Sequence, residues 1–99
     1  MKPIAACIEV AEFRLKPGVT DAALRAGIAA SDRYLARCAG FVARRTLRDG
    51  DHYADLVEWT DRDSANAAMA AADTSAELGT YFALLDLSTA QMRHFDVLA

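Results

Sequence analysis

Glu9, Trp59, Met69, Tyr81 and His94 are the side chains in this sequence best suited to act on a small molecule. An imidazole exchanges protons near neutral pH, so His94 is the first candidate for a general base. It shares a strand register with Met92 and Asp96, but Asp96 stands about 6 to 7 Å along the strand, too far to orient the ring directly. A structural or interface histidine is the competing reading. Glu9 lies between Ile8 and Val10, where a carboxylate must find a donor or protonate more easily. Arg45 is a possible partner, and an ion pair between subunits the alternative. Trp59 offers a flat apolar wall against which a ring can stack, or a core aromatic and nothing more. Tyr81 and Tyr53 could supply hydroxyl donors, or keep those hydroxyls at the surface. His52 falls in a hairpin and is assigned no role.

Other chemistries find little support. Two histidines and two cysteines are scattered, without the close pairs that hold a metal. The glycines are isolated, so no phosphate cradle forms, and neither a metal nor a cofactor is expected. Net charge is -3, with 11 basic and 14 acidic side chains, which argues against nucleic acid as a partner. No apolar run approaches the roughly 20 residues needed to span a bilayer, and Met1-Lys-Pro-Ile-Ala-Ala-Cys7 is too short in hydrophobic length for a signal peptide. A cytoplasmic protein with free thiols at Cys7 and Cys38 is expected.

The candidate residues need elements to position them. The first strand is predicted over about Pro3 to Lys16. Pro17-Gly18 turns the chain, and Thr20 caps a helix reaching about Arg37, with Leu24, Ile28, Ser31, Leu35 and Cys38 along its inner face. Gly40 stops it. Phe41–Arg48 and His52–Thr60 read as a hairpin about Asp49-Gly50-Asp51. A second helix follows Thr60-Asp61, with Ala65, Ala68, Met69, Ala72 and Ala76 as its inner stripe. Such small contacts leave room that another group must fill. After a break at Gly79, Tyr81, Phe82, Leu84 and Leu85 form a short helix able to plug or line that space. A last strand covers about Leu87 to Leu98. The expected fold is α+β: one domain over residues 1–99, ordered β-α-β-β-α-β, with a four-stranded antiparallel sheet and a short extra helix before the final strand.

Ile4–Val10 and Tyr53–Trp59 carry apolar residues in both alternating registers, whereas a half-solvated strand alternates cleanly. Helices can cover one face of the sheet. A twofold copy of the chain is the simplest cover for the other, making a homodimer through the open sheet face.

With Phe13-Arg-Leu-Lys-Pro-Gly18 entering the first helix, Gly40-Phe41 opening the second strand and Leu56-Val-Glu-Trp59 running into Thr60-Asp61, the chain resembles the dimeric α/β-barrel superfamily. The likeness is to its antibiotic-biosynthesis-monooxygenase type and stress-responsive relatives. That resemblance implies a ferredoxin-like subunit whose sheet packs on its twofold mate. The superfamily includes cofactor-independent oxygenases, haem-degrading enzymes, isomerases and domains without a known reaction. In the haem-degrading members an asparagine on the first strand, a tryptophan ending the third and a histidine on the second helix meet at the haem. Trp59 matches, but residues 4 to 15 hold no asparagine and Met69 stands near where the histidine belongs. Haem degradation is therefore not expected. Two functions follow: a homodimer binding a small apolar or aromatic ligand through Trp59, Tyr81, Met69 and Glu9, or a cofactor-independent monooxygenase of phenolic or quinol-like substrates with His94 as base. A cavity of about 300 Å³ beside Trp59, reached by His94 or Tyr81, would mark the ligand site.

Overall fold

The computed structural model describes residues 4–99. The elements run β1 (Cys7–Leu15), α1 (Asp21–Ala36), β2 (Phe41–Asp49), β3 (His52–Trp59), α2 (Arg62–Ala71), α3 (Ala76–Phe82) and β4 (Leu85–Asp96), with a 3₁₀ turn at Ala72–Thr74 between the last two helices. The four strands form one antiparallel sheet in the order β2-β3-β1-β4. This is the expected ferredoxin-like α+β arrangement, with the extra helix before the last strand. The beginning of the expected first strand, at Pro3, lies outside the described residues.

Local chemistry explains the boundaries. Thr20 accepts the Ala23 N–H at 3.1 Å, Asp61 the Ser64 N–H at 2.7 Å and Ser75 the Leu78 N–H at 3.1 Å, so each helix begins on a side-chain oxygen that satisfies an orphan amide. The β2–β3 hairpin pairs Asp49 with His52 and reverses through Gly50, whose φ of 63° favours glycine. Gly40, at φ 82°, permits a closer approach. Its carbonyl accepts the Thr60 N–H at 2.8 Å, and a Cβ built there would lie 2.2 Å from Ser64 Oγ.

Three expectations require correction. Leu84 and Leu85 do not belong to the short helix, which ends at Phe82, and Leu85 opens β4. Gly79 does not break the chain but sits inside α3; the interruption falls at Ala72–Ser75, where the 3₁₀ turn ends on an extended serine. The alanine stripe of α2 is also mostly unburied. Only Ala65 is enclosed, and Ala76 belongs to the next helix. Small side chains hold α2 weakly because they remove little apolar surface from water.

The core lies between the sheet and the helices in two clusters. Cys7, Leu35, Val57, Trp59 and Ala65 fill one end, and Phe13, Leu24, Tyr53, Tyr81 and Leu85 the other. On the opposite face, Val10 stands across from Leu56 and Ile8 from Phe95, with Leu47 beside Ala54. Phe95 is 51% and Leu47 45% exposed, so this apolar layer has no cover among the described residues. Cys7 and Cys38 are free thiols. Among the described residues, no helix is long and apolar enough to cross a membrane.

Candidate functional site

Strand alternation places Cys7, Glu9, Ala11 and Phe13 on the helix-facing side of β1 and Tyr53, Asp55, Val57 and Trp59 on that side of β3. Register then fixes the neighbours. Glu9 stands opposite His94 on β4 and opposite Val57 on β3, which makes Trp59 its diagonal neighbour on the same face. The His94 Nε2 and Glu9 Oε1 atoms are 3.2 Å apart, and both side chains are largely buried. The orienting partner for His94 is therefore the cross-strand Glu9 rather than Asp96, which pairs with Arg62 at 2.9 Å. Arg45 does not meet Glu9, because β2 is separated from β1 by β3 and Arg45 projects from the other face.

A cavity of about 110 Å³ lies between this sheet face and the helices. Glu9, Trp59, Met69 and Tyr81 all line it, with Tyr34 and Leu35 from α1, Ala68 and Ala72 beside Met69, and Leu78 and Phe82 from α3. Met69, 41% exposed, and Phe82, 38% exposed, form its mouth. Glu9 forms the wall, and His94 stands behind it. The volume, about a third of the roughly 300 Å³ expected above of a ligand site, does not meet that expectation. It is closer to the roughly 150 Å³ apolar cavity that holds one benzene ring.

Trp59 closes one end. It is 1% exposed, its ring meets Phe41 edge-on at 5.9 Å between centroids, and its Nε1 is the one buried side-chain polar atom without a hydrogen-bond partner among the described residues. A buried unpaired N–H typically costs about 1–3 kcal/mol, which a bound acceptor would recover. Burial raises the Glu9 carboxyl above its ordinary range. His94 pulls it partly back, and the nearby Trp59 N–H does so more weakly without reaching hydrogen-bond geometry.

The other polar wall was not anticipated from sequence. Arg44, with a side chain only 4% exposed, places Nε 3.2 Å from Asp55 Oδ1 and Nη1 2.8 Å from Ser31 Oγ and 2.7 Å from Asp32 Oδ1. Asp55 also accepts the Thr46 hydroxyl at 2.6 Å and the Tyr81 hydroxyl at 2.8 Å. Tyr81 lies under the guanidinium at 5.2 Å. Burial works against the Arg44 charge, but Asp55 outweighs it and the group holds its proton more tightly than an ordinary arginine. Burial first, and Asp55 next, push the Tyr81 hydroxyl well above its usual value, so it stays neutral. A signal existed: the hairpin that pairs Asp49 with His52 sets Thr46 opposite Asp55 and Arg44 opposite Val57, all facing inward. Tyr53 instead stacks on Phe13 at 5.9 Å, away from this cavity. His52 lies at the sheet surface, with Nε2 3.0 Å from Glu12. Among the described residues, no three His, Cys, Asp or Glu side chains gather into a metal-holding cluster.

No protein-family model and no curated protein matches the chain. Solved structures do. SnoaB, a cofactor-independent oxygenase from Streptomyces nogalater, superposes with a TM-score of 0.77 at 22% identity over 97% of this chain and 96% of its own. The monooxygenase from ActVA-Orf6 of Streptomyces coelicolor, solved with nanaomycin D, gives 0.73 at 13% identity over 96% and 89%. A dimeric ferredoxin-like protein of unknown function from Thermobifida fusca gives 0.72 at 16% identity over 98% and 95%. The chain thus has the fold of antibiotic-biosynthesis-monooxygenase-type proteins, as the resemblance implied.

Proposed function

We propose that this protein is a homodimer that binds a small, single-ring ligand in the cavity beside Trp59. The observation that carries the reading is a cavity walled by Glu9, Trp59, Tyr81 and Met69, with the partnerless Trp59 N–H buried beside Glu9. The ring would lie among Leu35, Leu78, Met69 and Phe82, and one polar edge would accept from Trp59. The volume favours one ring; a fused-ring ligand needs Met69 and Phe82 to swing outward. Dimerisation through the open face is supported by the uncovered layer of Ile8, Val10, Leu56 and Phe95, and by the dimeric neighbour of like fold. The free thiols support a reducing, cytoplasmic setting. Sedimentation and light scattering test the dimer. Trp59 fluorescence during titration with one-ring aromatics tests the site, because this is the chain's only tryptophan. A monomer at micromolar concentration sinks the first part, and no fluorescence response at millimolar ligand sinks the second.

One observation favours a second reading, cofactor-independent oxygenation of a phenolic or quinol-like ring. The Glu9–His94 contact is the acid–base pair such chemistry needs. Deprotonation by this pair would make the ring electron-rich enough to reduce dioxygen; the ring supplies all four electrons, one oxygen atom entering it as it is oxidised to the quinone level and the other leaving as water. Oxygen uptake with hydroquinones should then fall in His94→Ala; unchanged turnover removes His94 from the role.

A further inference from the structure

The polar groups around the cavity divide into those already committed and those still open. We infer that Glu9 acts there as a charge filter, selecting neutral ligands whose polar edge both donates and accepts and rejecting carboxylates of the same shape; this rests on the ligand site proposed above. Among the described residues Arg44 is the only cationic side chain in the wall, and its contacts engage it fully: Asp55 on one edge, Ser31 and Asp32 on the other, and the Tyr81 ring against its face. Asp55 is equally spent, on Arg44, Thr46 and Tyr81. Among the described residues, no free cation in this wall awaits an anionic ligand.

What remains open is one donor and one carboxylate. The buried Trp59 Nε1 has no partner in hydrogen-bond geometry and lies near Glu9, which meets His94 through Oε1, so a ligand edge engages both by entering between them. A primary amide or a hydroxyl satisfies both, accepting from Trp59 and donating to Glu9. A carboxylate can accept from Trp59 but has no proton for Glu9. It would set two like charges within a largely buried space, where their repulsion is poorly screened. The ring of such a ligand would run outward between Met69 and Phe82.

Benzamide and benzoate have nearly the same shape and isolate this difference. Trp59 fluorescence, excited where tryptophan alone absorbs, should show benzamide binding at least about tenfold more tightly than benzoate at pH 7. In Glu9→Gln that ratio should collapse towards one. Should the variant fold poorly, the native protein supplies an independent measurement. The groups facing Glu9 are His94 from β4, Asp55 from β3 with Arg44 behind it, Tyr34 from α1, Tyr81 from α3 and the Cys7 thiol on its own strand; α2 contributes no titratable side chain to the wall. Protonation of Glu9, whose carboxyl burial holds above its ordinary range, removes the repulsion, so the preference for benzamide should narrow as pH falls from 7 towards about 5.5, where benzoate is still ionised. Equal binding of both ligands, or a ratio that neither the substitution nor pH moves, overturns the filter while leaving the cavity reading intact. Silence of Trp59 towards both ligands in both proteins removes the cavity reading and the filter with it.

Discussion

Asp55→Asn removes one negative charge and almost no volume from the most heavily bonded polar group in the core, and its cost follows from the contacts. Arg44 and Asp55 have side chains 4% and 9% exposed, so taking away the carboxylate charge leaves a guanidinium inside the protein. Breaking a buried pair from one side typically costs about 3–5 kcal/mol. Two features reduce that here. Asp32, 2.7 Å from Arg44 and 53% exposed, keeps part of the compensation, and asparagine retains one oxygen for the hydroxyl of Thr46 or Tyr81. A loss of about 2–3 kcal/mol is expected, which for a domain of this size lowers Tm by roughly 10 to 20 °C. Urea unfolding followed by circular dichroism and by Trp59 fluorescence, at matched protomer concentration because association stabilises the fold, gives the number directly. The double substitution of Arg44→Met with Asp55→Leu should recover part of the loss, since no charge is then stranded. A change under about 0.5 kcal/mol for Asp55→Asn would refute the reasoning, for it would mean that water reaches Arg44 freely.

Gly40→Ala should cost at least about 2 kcal/mol, because its φ of 82° is strained for alanine and the new methyl meets Ser64, whereas Gly50→Asn, in an open turn, should stay within about 0.5 kcal/mol; thermal melts of both check the contrast. Glu9 has a folded pKa raised mainly by burial, so the native state binds protons more readily than the unfolded chain and stability falls as pH rises above the unfolded carboxyl range. Glu9→Gln should therefore match or exceed the parent in stability above neutral pH, and lose that advantage as pH falls towards 4, in melts taken across the range; a constant difference counts against the raised pKa. Tyr34→Phe deletes the 2.6 Å hydrogen bond to the Ala68 carbonyl, and should cost about 1 kcal/mol while accelerating amide exchange around Ala68–Thr74 more than in the sheet. Phe95→Lys should weaken the proposed dimer by at least about tenfold in Kd, and an unchanged mass at low micromolar concentration would move the interface elsewhere.

The readable and unreadable parts of this molecule differ in sequence separation. Thr20 as a cap, Gly50 in the hairpin turn and the two-sided strands are local signals, and the structure carries them as expected. Glu9 and His94 lie 85 positions apart. Their pairing depends on the register of β1 against β4, which shifts between Glu12 and Arg14, where the Thr89 hydroxyl accepts the Arg14 N–H at 2.9 Å. No count from a turn could have set that register. Arg44 and Asp55 were within reach, because the hairpin alone aligns them. A run of charges like that from Arg44 to Asp55 is also the pattern of a solvated surface, and only the inward parity of both residues argues otherwise. On α2, alanine spacing predicted burial that so little apolar area does not secure.

That weakly held helix separates two properties that most proteins must trade against each other. Ala68 and Met69 of α2 and Ala72 just beyond it shape the hollow, yet α2 is tied to the core only by the small side chains of Ala65 and Ala68 and by the Tyr34 bond to the Ala68 carbonyl, while the sheet, α1 and α3 carry the packing that keeps the chain folded. Bulkier or smaller side chains at those three positions therefore retune the size of guest admitted with little penalty to the scaffold, which makes this helix the natural place to begin redesigning the receptor.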